Sequence, residues 1–345
     1  MTDPRPVPRS PDELAAALES TGYLADDGLA MAAFLALRMG RPLFCEGEPG
    51  TGKTSLAVGL SQALQLPLIR LQCHEGIDAS QALYDWDFPR QLLHLRTLEA
   101  ASGGALDADE AESSLYTERF LLARPLLRAL TEAPCVLLVD EIDRADDEFE
   151  AFLLQLLDEN AVTIPELGRV QAETPPLVIL TSNRTREVHD ALKRRCLYHW
   201  LEHPSLAREI AILHRRVPGV GDELAEQVAH AIHALRRMEL LKPPGVAETL
   251  DWARALRELD RDVLDAEIAA ATLGAVLKYR EDLDRVVRGG LDRLLGAGSG
   301  ASGPNTTGAG SGASGPNTTG AGSGASGPNT TGAGSGASGP NETGA

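Results

Sequence analysis

The sequence has no apolar run long enough to cross a bilayer. The longest, Leu29 to Leu37, is under half of the about 20 residues that a spanning helix needs. Residues 1–13 are polar and proline-rich and do not resemble a secretory signal. There are only four cysteines, without CxxC spacing, so neither a disulfide framework nor a zinc site is predicted. These absences predict a protein of the cytoplasm.

Basic residues are also scarce. Lysine and arginine number 32 against 50 aspartate and glutamate residues, which gives a net charge of −18. Non-specific binding to nucleic acid or to an anionic membrane requires a cationic face. The composition therefore argues against both partners, although the run Lys193-Arg194-Arg195 leaves a local basic patch.

The last fifty residues lack large side chains. From Gly296 a twelve-residue unit, GAGSGASGPNTT, runs four times, with Glu342 replacing a threonine in the fourth copy. Fixing one residue costs about 1–2 kcal/mol of conformational entropy, and this segment has no apolar area to offset that cost. We therefore predict a disordered tail over 296–345, and a flexible arm over the proline-rich residues 1–11.

Between these ends, short apolar runs alternate with helical patterns. The runs cover residues 41–45, 67–72, 135–139, 176–181 and 197–201. A strand that is apolar at every position must be covered on both faces, which with intervening helices predicts a parallel α/β sheet. Residues 115–130 are predicted to be helical. Residues 206–295 show helical patterns alone, which predicts an α/β domain over 12–205 and a small all-α domain over 206–295.

A glycine-rich segment follows the first predicted strand. Residues 47–54 read GEPGTGKT, the phosphate-binding-loop pattern in its required place between a strand and a helix. Backbone N–H groups of such a loop bind phosphate, with Lys53 pairing with the β- and γ-phosphates and Thr54 supplying a hydroxyl to Mg²⁺. The predicted nucleotide-binding residues are Gly47, Glu48, Pro49, Gly50, Thr51, Gly52, Lys53, Thr54, Ser55 and Asp140.

Polar side chains end two further strands. Asp140 and Glu141 follow one apolar run, and Asn183 follows the next. We expect Asp140 to hold Mg²⁺ through water and Glu141 to orient and deprotonate the attacking water. Asn183 is expected to hold that water or to touch the γ-phosphate. Each strand end alone is also ordinary turn chemistry. Together with the glycine loop, they favour an ATP-hydrolysing P-loop protein of the ASCE division.

The basic run beside the last strand has two interpretations. Adjacent cations usually form a solvated face or pair with carboxylates. The alternative is an arginine finger that reaches the γ-phosphate of a neighbouring subunit. Arg194 and Arg195 both remain candidates for such a finger.

In combination these motifs resemble an AAA+ ATPase of the MoxR type. The matching segments are GEPGTGKT at 47–54, VLLVDEIDRA at 136–145, TSN at 181–183 and ALKRRC at 191–196, within residues 20–290. Three further segments resemble the branch associated with aerobic carbon monoxide dehydrogenase maturation. They are RLQCHEGID at 70–78, ALYDWDFPRQLL at 82–93 and GVAETLDWARAL at 245–256.

The resemblance to MoxR-type ATPases also implies a strand order, an assembly and a partner, which the individual motifs do not specify. It implies a parallel sheet in the order 5-1-4-3-2 followed by a helical lid, and a ring, usually a hexamer, with ATP and Mg²⁺ at the subunit interfaces. It also implies chaperone-like remodelling together with a partner that contains a von Willebrand factor A (VWA) domain. One position departs from the pattern: Glu248 stands where these ATPases often have a sensor 2 arginine, and Arg254 lies further along the same predicted helix.

Rival classes differ in motifs that can be checked. The chain has neither the N-K-x-D motif of a GTPase nor the LSGGQ-like signature of an ABC transporter ATPase. A clamp- or helicase-loader type of AAA+ ATPase stays open, although the acidic composition argues against work on DNA. The non-enzymatic alternative is a nucleotide-gated scaffold that binds ATP with little turnover.

Overall fold

The computed structural model describes residues 8–102, 113–291 and 295. Its helices are α1 (Pro11–Ser20), α2 (Asp27–Met39), α3 (Lys53–Leu64), α4 (Ala79–Leu83), α5 (Phe88–Ser102), α6 (Pro125–Thr131), α7 (Asp147–Glu159), α8 (Asp190–Arg195), α9 (Leu206–Arg216), α10 (Asp222–Arg236), α11 (Val246–Glu258), α12 (Ala266–Thr272) and α13 (Arg280–Gly289). Its strands are β1 (Leu43–Gly47), β2 (Leu68–Gln72), β3 (Tyr84–Trp86), β4 (Leu121–Ala123), β5 (Val136–Asp140), β6 (Ala161–Ile164), β7 (Gly168–Gln171), β8 (Leu177–Ser182) and β9 (Leu197–Leu201).

Five strands form one parallel sheet in the order β2-β5-β8-β1-β9. Counted along the chain as strands one to five and read from the opposite edge, this order is 5-1-4-3-2, which confirms the predicted topology. The carboxyl ends of parallel strands meet at one edge, so Gly47, Asp140 and Ser182 end β1, β5 and β8 close together.

The three inner strands, β1, β5 and β8, are buried at every position, whereas the edge strands β2 and β9 are only partly buried. Within β5, Leu137 and Val139 pack into one hydrophobic cluster, whereas Val136 and Leu138 pack into another on the opposite face. Alternate side chains of a strand point to opposite sides, so β1, β5 and β8 each contribute to both clusters. Helices α1, α2 and α3 cover one of these faces.

The residues after β9 are helical and have a hydrophobic cluster of their own around Trp252, which is fully buried. A buried ion pair lies among these helices. Arg236 of α10 donates two hydrogen bonds, of 2.6 and 2.8 Å, to the carboxylate of Glu209 on α9, whose side chain is fully buried. Thr249 of α11 donates a third, of 2.6 Å, and this network ties three helices together.

The chain departs from the sequence prediction over residues 115–130. The expected single helix is wrong: β4 occupies part of that segment, and α6 begins only at Pro125. Arg124 is extended, because proline disfavours the helical conformation of the residue before it and suits the first turn of a helix. Two small antiparallel pairs, β3 with β4 and β6 with β7, were also not predicted.

The two terminal predictions have different outcomes. Helix α1 begins at Pro11, where the Ser10 hydroxyl accepts a hydrogen bond from the backbone of Glu13, so ordered structure begins inside the predicted arm. The predicted disordered tail over 296–345 lies outside the described residues. Among the residues that are described, no helix is both long and apolar enough to cross a membrane.

Arg236→Met tests the buried ion pair. The substitution leaves the Glu209 carboxylate buried without its guanidinium partner, so we expect the free energy of unfolding to fall by about 3–5 kcal/mol. Denaturant unfolding followed by circular dichroism measures this change. Arg237→Met, at the exposed neighbouring position, is the matched control and should change stability by less than about 0.5 kcal/mol. Equal losses in the two variants would contradict the interpretation.

Candidate nucleotide-binding site

The glycine-rich segment forms a loop between β1 and α3. Gly50 and Gly52 have φ angles of +80° and +96°, in the left-handed region that residues with a Cβ rarely adopt. Gly52 is the residue before the first turn of α3, so the loop leads directly into the amino end of that helix. This is the backbone arrangement that binds phosphate in P-loop proteins.

Lys53 lies inside the loop. Its Nζ donates to the carbonyl oxygens of Gly47 and Glu48 at 2.8 and 2.7 Å, and the residue is 6% exposed. Burial lowers the pKa of Lys53, and the nearby Asp143 carboxylate opposes that shift. The side chain is therefore held against the loop backbone.

Glu48 connects the loop to the segment after β9. One of its carboxylate oxygens lies 3.0 Å from Nε2 of His203. Burial and the charge of Arg236 lower the pKa of His203, whereas the contact with Glu48 raises it. The loop thus has a polar contact with the chain at the start of the helical region.

Asp140 lies at the centre of a group of donors. Thr54 Oγ1 is 3.1 and 3.2 Å from its two carboxylate oxygens, Thr181 Oγ1 donates to Oδ1 at 2.5 Å, and Arg70 Nη2 donates to Oδ2 at 2.6 Å. Mg²⁺ prefers hard oxygen ligands, and a hydroxyl beside a carboxylate provides them. The Thr54–Asp140 pair therefore fits a magnesium site.

Glu141 is held by side chains from several elements. Its carboxylate accepts from Gln72 Nε2 at 3.0 Å and from Asn183 Nδ2 at 3.4 Å, and it lies 3.2 Å from Arg144 Nε. Its φ is +56°, which is uncommon for a residue with a Cβ, and its N–H donates to Thr181 Oγ1 at 2.9 Å. Backbone conformations of this kind are concentrated at functional sites.

Three of these contacts come from residues that the sequence analysis did not select. Arg70 and Gln72 lie on β2, and Arg144 lies just after Glu141. The available signal was that polar residues alternate with Leu71 at the carboxyl end of a strand next to Asp140. Parallel pairing places Gln72 directly opposite Asp140.

Two neighbouring cavities open beside the loop. The first, of about 400 Å³, is lined by Pro49, Gly50, Gly52, Lys53, Thr54, Ser55, Asp140, Glu141 and Asn183, among others. The second, of about 350 Å³, is more apolar, and Tyr23, Leu24 and Leu201 contribute to its wall with Thr51. Gly52, Ser55, Arg216, Val246 and Leu250 line both cavities. The two cavities thus adjoin each other, and the second has the larger share of apolar wall.

The helical region contacts the loop through backbone. Val246 N–H donates to Gly50 O at 2.8 Å. A Cβ on Gly245 would lie 2.7 Å from Gly50 Cα and 2.9 Å from Gly50 O, closer than real Cβ contacts allow. Only glycine at 245 permits this approach.

Glu248, at the expected sensor 2 position, is not among the residues that line the two cavities. Glu248 Oε2 accepts from the backbone N–H of Gly245 at 3.0 Å and so caps its own helix. Arg216 and Arg254 line the polar cavity instead. The helical region therefore contributes two arginines to the wall of this cavity, although neither stands at the expected position.

Arg194 and Arg195 lie on α8, and neither is among the residues that line the two cavities. Arg195 Nε donates to Asp158 of α7. The Arg194 side chain is 81% exposed, and its ion pair with Asp190 is 3.9 Å long. Arg41 donates to the carbonyl oxygens of both arginines, at 2.8 Å to Arg194 and 3.0 Å to Arg195.

The strand order, the glycine loop and the polar strand ends together define a P-loop α/β fold. In agreement, residues 42–196 match the family model described as the AAA domain of the dynein-related subfamily. This match covers the five-stranded sheet up to the residue before β9.

Curated relatives match over part of their length. The uncharacterized protein YojN of Bacillus subtilis is 31% identical over 119 residues, which are 34% of this chain and 38% of that protein. The uncharacterized protein SSP1341 of Staphylococcus saprophyticus is 24% identical over 165 residues, which are 46% of this chain and 54% of that protein. The chain thus aligns with about half or less of these relatives.

Solved structures of similar fold include the Thermotoga maritima RuvB Holliday junction branch migration motor. It is 17% identical, with a TM-score of 0.42, over 83% of this chain and 79% of that one. A point mutant of that RuvB is 15% identical, with a TM-score of 0.44, over 85% of this chain and 81% of that one. The fold assignment accordingly rests on the strand order of this chain.

Gly245→Ala tests the contact between the lid and the loop. The added methyl group overlaps the Gly50 backbone, so α11 must move away from the loop, and we expect nucleotide affinity to fall about tenfold or more. Equilibrium binding of a fluorescent ATP analogue measures this effect. Gly221→Ala is the matched control, because Gly221 also precedes a helix and a Cβ there meets nothing within 4 Å. Wild-type affinity in Gly245→Ala would rule out a role for the contact.

Proposed function

We propose that this chain binds ATP and hydrolyses it to ADP and phosphate. The observation that carries the proposal is the position of Glu141. Its carboxylate lies beside the Thr54–Asp140 pair and is held by Asn183, on the same cavity that Lys53 lines. A carboxylate fixed next to a phosphate loop and a magnesium site is the arrangement that ATP hydrolysis requires.

The roles follow from the charges of the groups. Lys53 and the loop N–H groups would bind the phosphates. Thr54, and Asp140 through water, would hold Mg²⁺, which would neutralise charge on the phosphate oxygens. Glu141 accepts a proton from the attacking water. The water oxygen forms a bond to the γ-phosphorus, and the bond between that phosphorus and the bridging oxygen breaks, so that ADP leaves. Asn183 positions the Glu141 carboxylate.

The apolar cavity is proposed to hold the nucleoside. Tyr23 and Leu24 border it, and Leu201 and Leu250 add apolar wall. Burial raises the pKa of the Tyr23 phenol, so the ring is a neutral surface at this site. From the lid side, Arg216 and Arg254 reach the polar cavity, and we assign them the part that a sensor 2 arginine plays.

Arg194 is the better-supported candidate for an arginine finger in a homo-oligomeric ring, which we propose to be a hexamer. A finger must reach a neighbouring subunit, so its side chain has to be exposed and at most weakly paired. Arg194 meets this requirement, whereas Arg195 is paired with Asp158. Arg41 fixes the backbone from which Arg194 projects.

The biological role is proposed from the sequence resemblance. The segments at 70–78, 82–93 and 245–256 support a MoxR-type remodeller that acts in the cytoplasm with a VWA-domain partner in maturing a metalloenzyme or another protein complex. The net charge of −18 favours a protein client over nucleic acid. Mass measurement of complexes isolated from the native host tests this proposal.

Lys53→Ala and Glu141→Gln separate binding from hydrolysis. Lys53→Ala removes the charge that meets the phosphates, so ATP affinity should fall at least tenfold. Glu141→Gln should bind ATP like the wild type while turnover falls by about 10²-fold or more, since an amide is a poor base. Calorimetry and phosphate release measure the two effects. Glu148→Gln, on the exposed side of α7, is the control. Wild-type turnover in Glu141→Gln would refute the assignment.

Arg194→Ala and Arg195→Ala separate the two finger candidates. In assembled rings, we expect Arg194→Ala to lower turnover about 10³-fold and Arg195→Ala to lower it by less than tenfold. Mixing Arg194→Ala with Lys53→Ala subunits should restore part of the activity, because an intact site then meets an intact finger across the interface. If the mixture is inactive although mixed rings form, Arg194 does not act in trans.

A further inference from the structure

Arg70 projects from the edge strand of the sheet onto the acidic group of the site. A single nitrogen, Nη2, donates to Asp140 Oδ2 and to Gln72 Oε1, each at 2.6 Å. The Arg70 side chain is 52% exposed, whereas that of Asp140 is 3% exposed. A half-exposed cation therefore caps a buried carboxylate.

Arg70 is the cation in direct contact with Asp140, whereas the charge of Lys53 acts on this carboxylate without an ion pair. The other side-chain partners of Asp140, Thr54 and Thr181, are neutral hydroxyl groups. Within the described part of the chain, Arg70 provides the one salt bridge to Asp140. A buried carboxylate that loses its cationic partner is strongly destabilised, so the protein without metal needs Arg70 or an equivalent cation at this position.

Mg²⁺ would be held by the same carboxylate that Arg70 contacts. Two cations on one carboxylate repel each other, and the repulsion is strong where burial reduces screening by water. Because the guanidinium is half exposed, it can move into solvent, whereas Asp140 cannot. Binding of the metal and withdrawal of Arg70 are therefore linked.

Arg70 also determines how Gln72 is oriented. With the amide oxygen of Gln72 accepting from Arg70, its Nε2 is left to donate to Glu141 Oε2 at 3.0 Å. When Arg70 leaves, the amide is free to rotate and the carboxylate of Glu141 loses a fixed donor. The state of the metal site is thereby transmitted to the carboxylate that is proposed to activate water.

We propose that Arg70 is the resident counter-cation of the magnesium site. It neutralises Asp140 in the metal-free protein, competes with Mg²⁺ for that carboxylate, and keeps Gln72 on Glu141 until the metal is bound. Arg70 thus acts as a positioning residue that sets the Mg²⁺ concentration at which the site becomes competent. The inference rests on the proposed nucleotide-binding function.

Arg70→Met tests the competition with Mg²⁺ alone, without nucleotide. In metal-free buffer, we expect the variant to unfold at a lower temperature than the wild type, because Asp140 has lost its cation. Added MgCl₂ should raise the unfolding temperature of Arg70→Met at concentrations that leave the wild type unchanged. Arg169→Met is the matched control, since Arg169 is 55% exposed and forms an ion pair with Glu159 away from the site.

A second measurement uses nucleotide. The Mg²⁺ concentration for half-maximal binding of a fluorescent ATP analogue should fall about tenfold in Arg70→Met. It should stay within about twofold of the wild type in Arg70→Lys, which keeps the charge. Arg70→Gln, which is neutral and polar, replaces Arg70→Met if the latter does not fold. We expect no shift in Arg169→Met.

The outcomes separate the two proposals. If wild-type protein does not bind the analogue with Mg²⁺, the proposed function fails, whatever Arg70 does. If the wild type binds it but the neutral variants keep the same half-maximal Mg²⁺ concentration and the same response to MgCl₂ alone, the counter-cation role is overturned. A shift that Arg70→Lys shares fully with Arg70→Met would likewise refute a role based on charge.

Discussion

The site is organised around one buried carboxylate, that of Asp140. It ends the strand β5 and receives donors from three directions: Thr54 from the phosphate loop, Thr181 from β8 and Arg70 from β2. A charge in this environment is tolerable only when its hydrogen-bonding capacity is filled and a cation is near. The carboxylate therefore fixes how the loop and both neighbouring strands meet, and it leaves Glu141 next to the same groups.

A second constraint joins the helical region to this site. The backbones of Gly50 and Gly245 approach within a distance that excludes any side chain, and Val246 N–H donates across the contact. The helix that carries Val246 is itself tied through Thr249 to the buried Glu209–Arg236 pair. A displacement of the loop is consequently transmitted to three packed helices as a rigid shift, since tightly packed interiors deform little.

The sequence was sufficient for those features that local patterns encode. The five strands of the parallel sheet follow from short, mainly apolar runs, and the glycine loop follows from its residue spacing. The strand order required the family resemblance, because no local pattern specifies which strands pair. The helix predicted over 115–130 was wrong. The sequence contained the reason, because Pro125 disfavours a helical conformation in the residue before it.

Other features depend on contacts that are distant in sequence. The contact between Gly50 and Gly245 joins residues far apart in the chain, and each glycine alone reads as an ordinary loop residue. The bonds of Arg70 and Gln72 depend on the register of β2 against β5, which places Gln72 opposite Asp140. The segment ALKRRC at 191–196 likewise gave no reason to prefer Arg194 or Arg195 as the arginine finger. The two are distinguished by the ion pair of Arg195 with Asp158 on a neighbouring helix.

Helix α8, which carries the finger candidate Arg194, is anchored to the strand that leads into the phosphate loop. Arg41 lies just before β1, the strand that leads into the phosphate loop, and its guanidinium binds the backbone carbonyl groups of Arg194 and Arg195. Strand β9, which follows α8, also pairs with β1 along its whole length. The base of the phosphate loop and the base of the finger candidate are therefore two ends of one rigid unit. A movement of β1 in response to phosphate must also move Arg194, the side chain proposed to act on the neighbouring subunit.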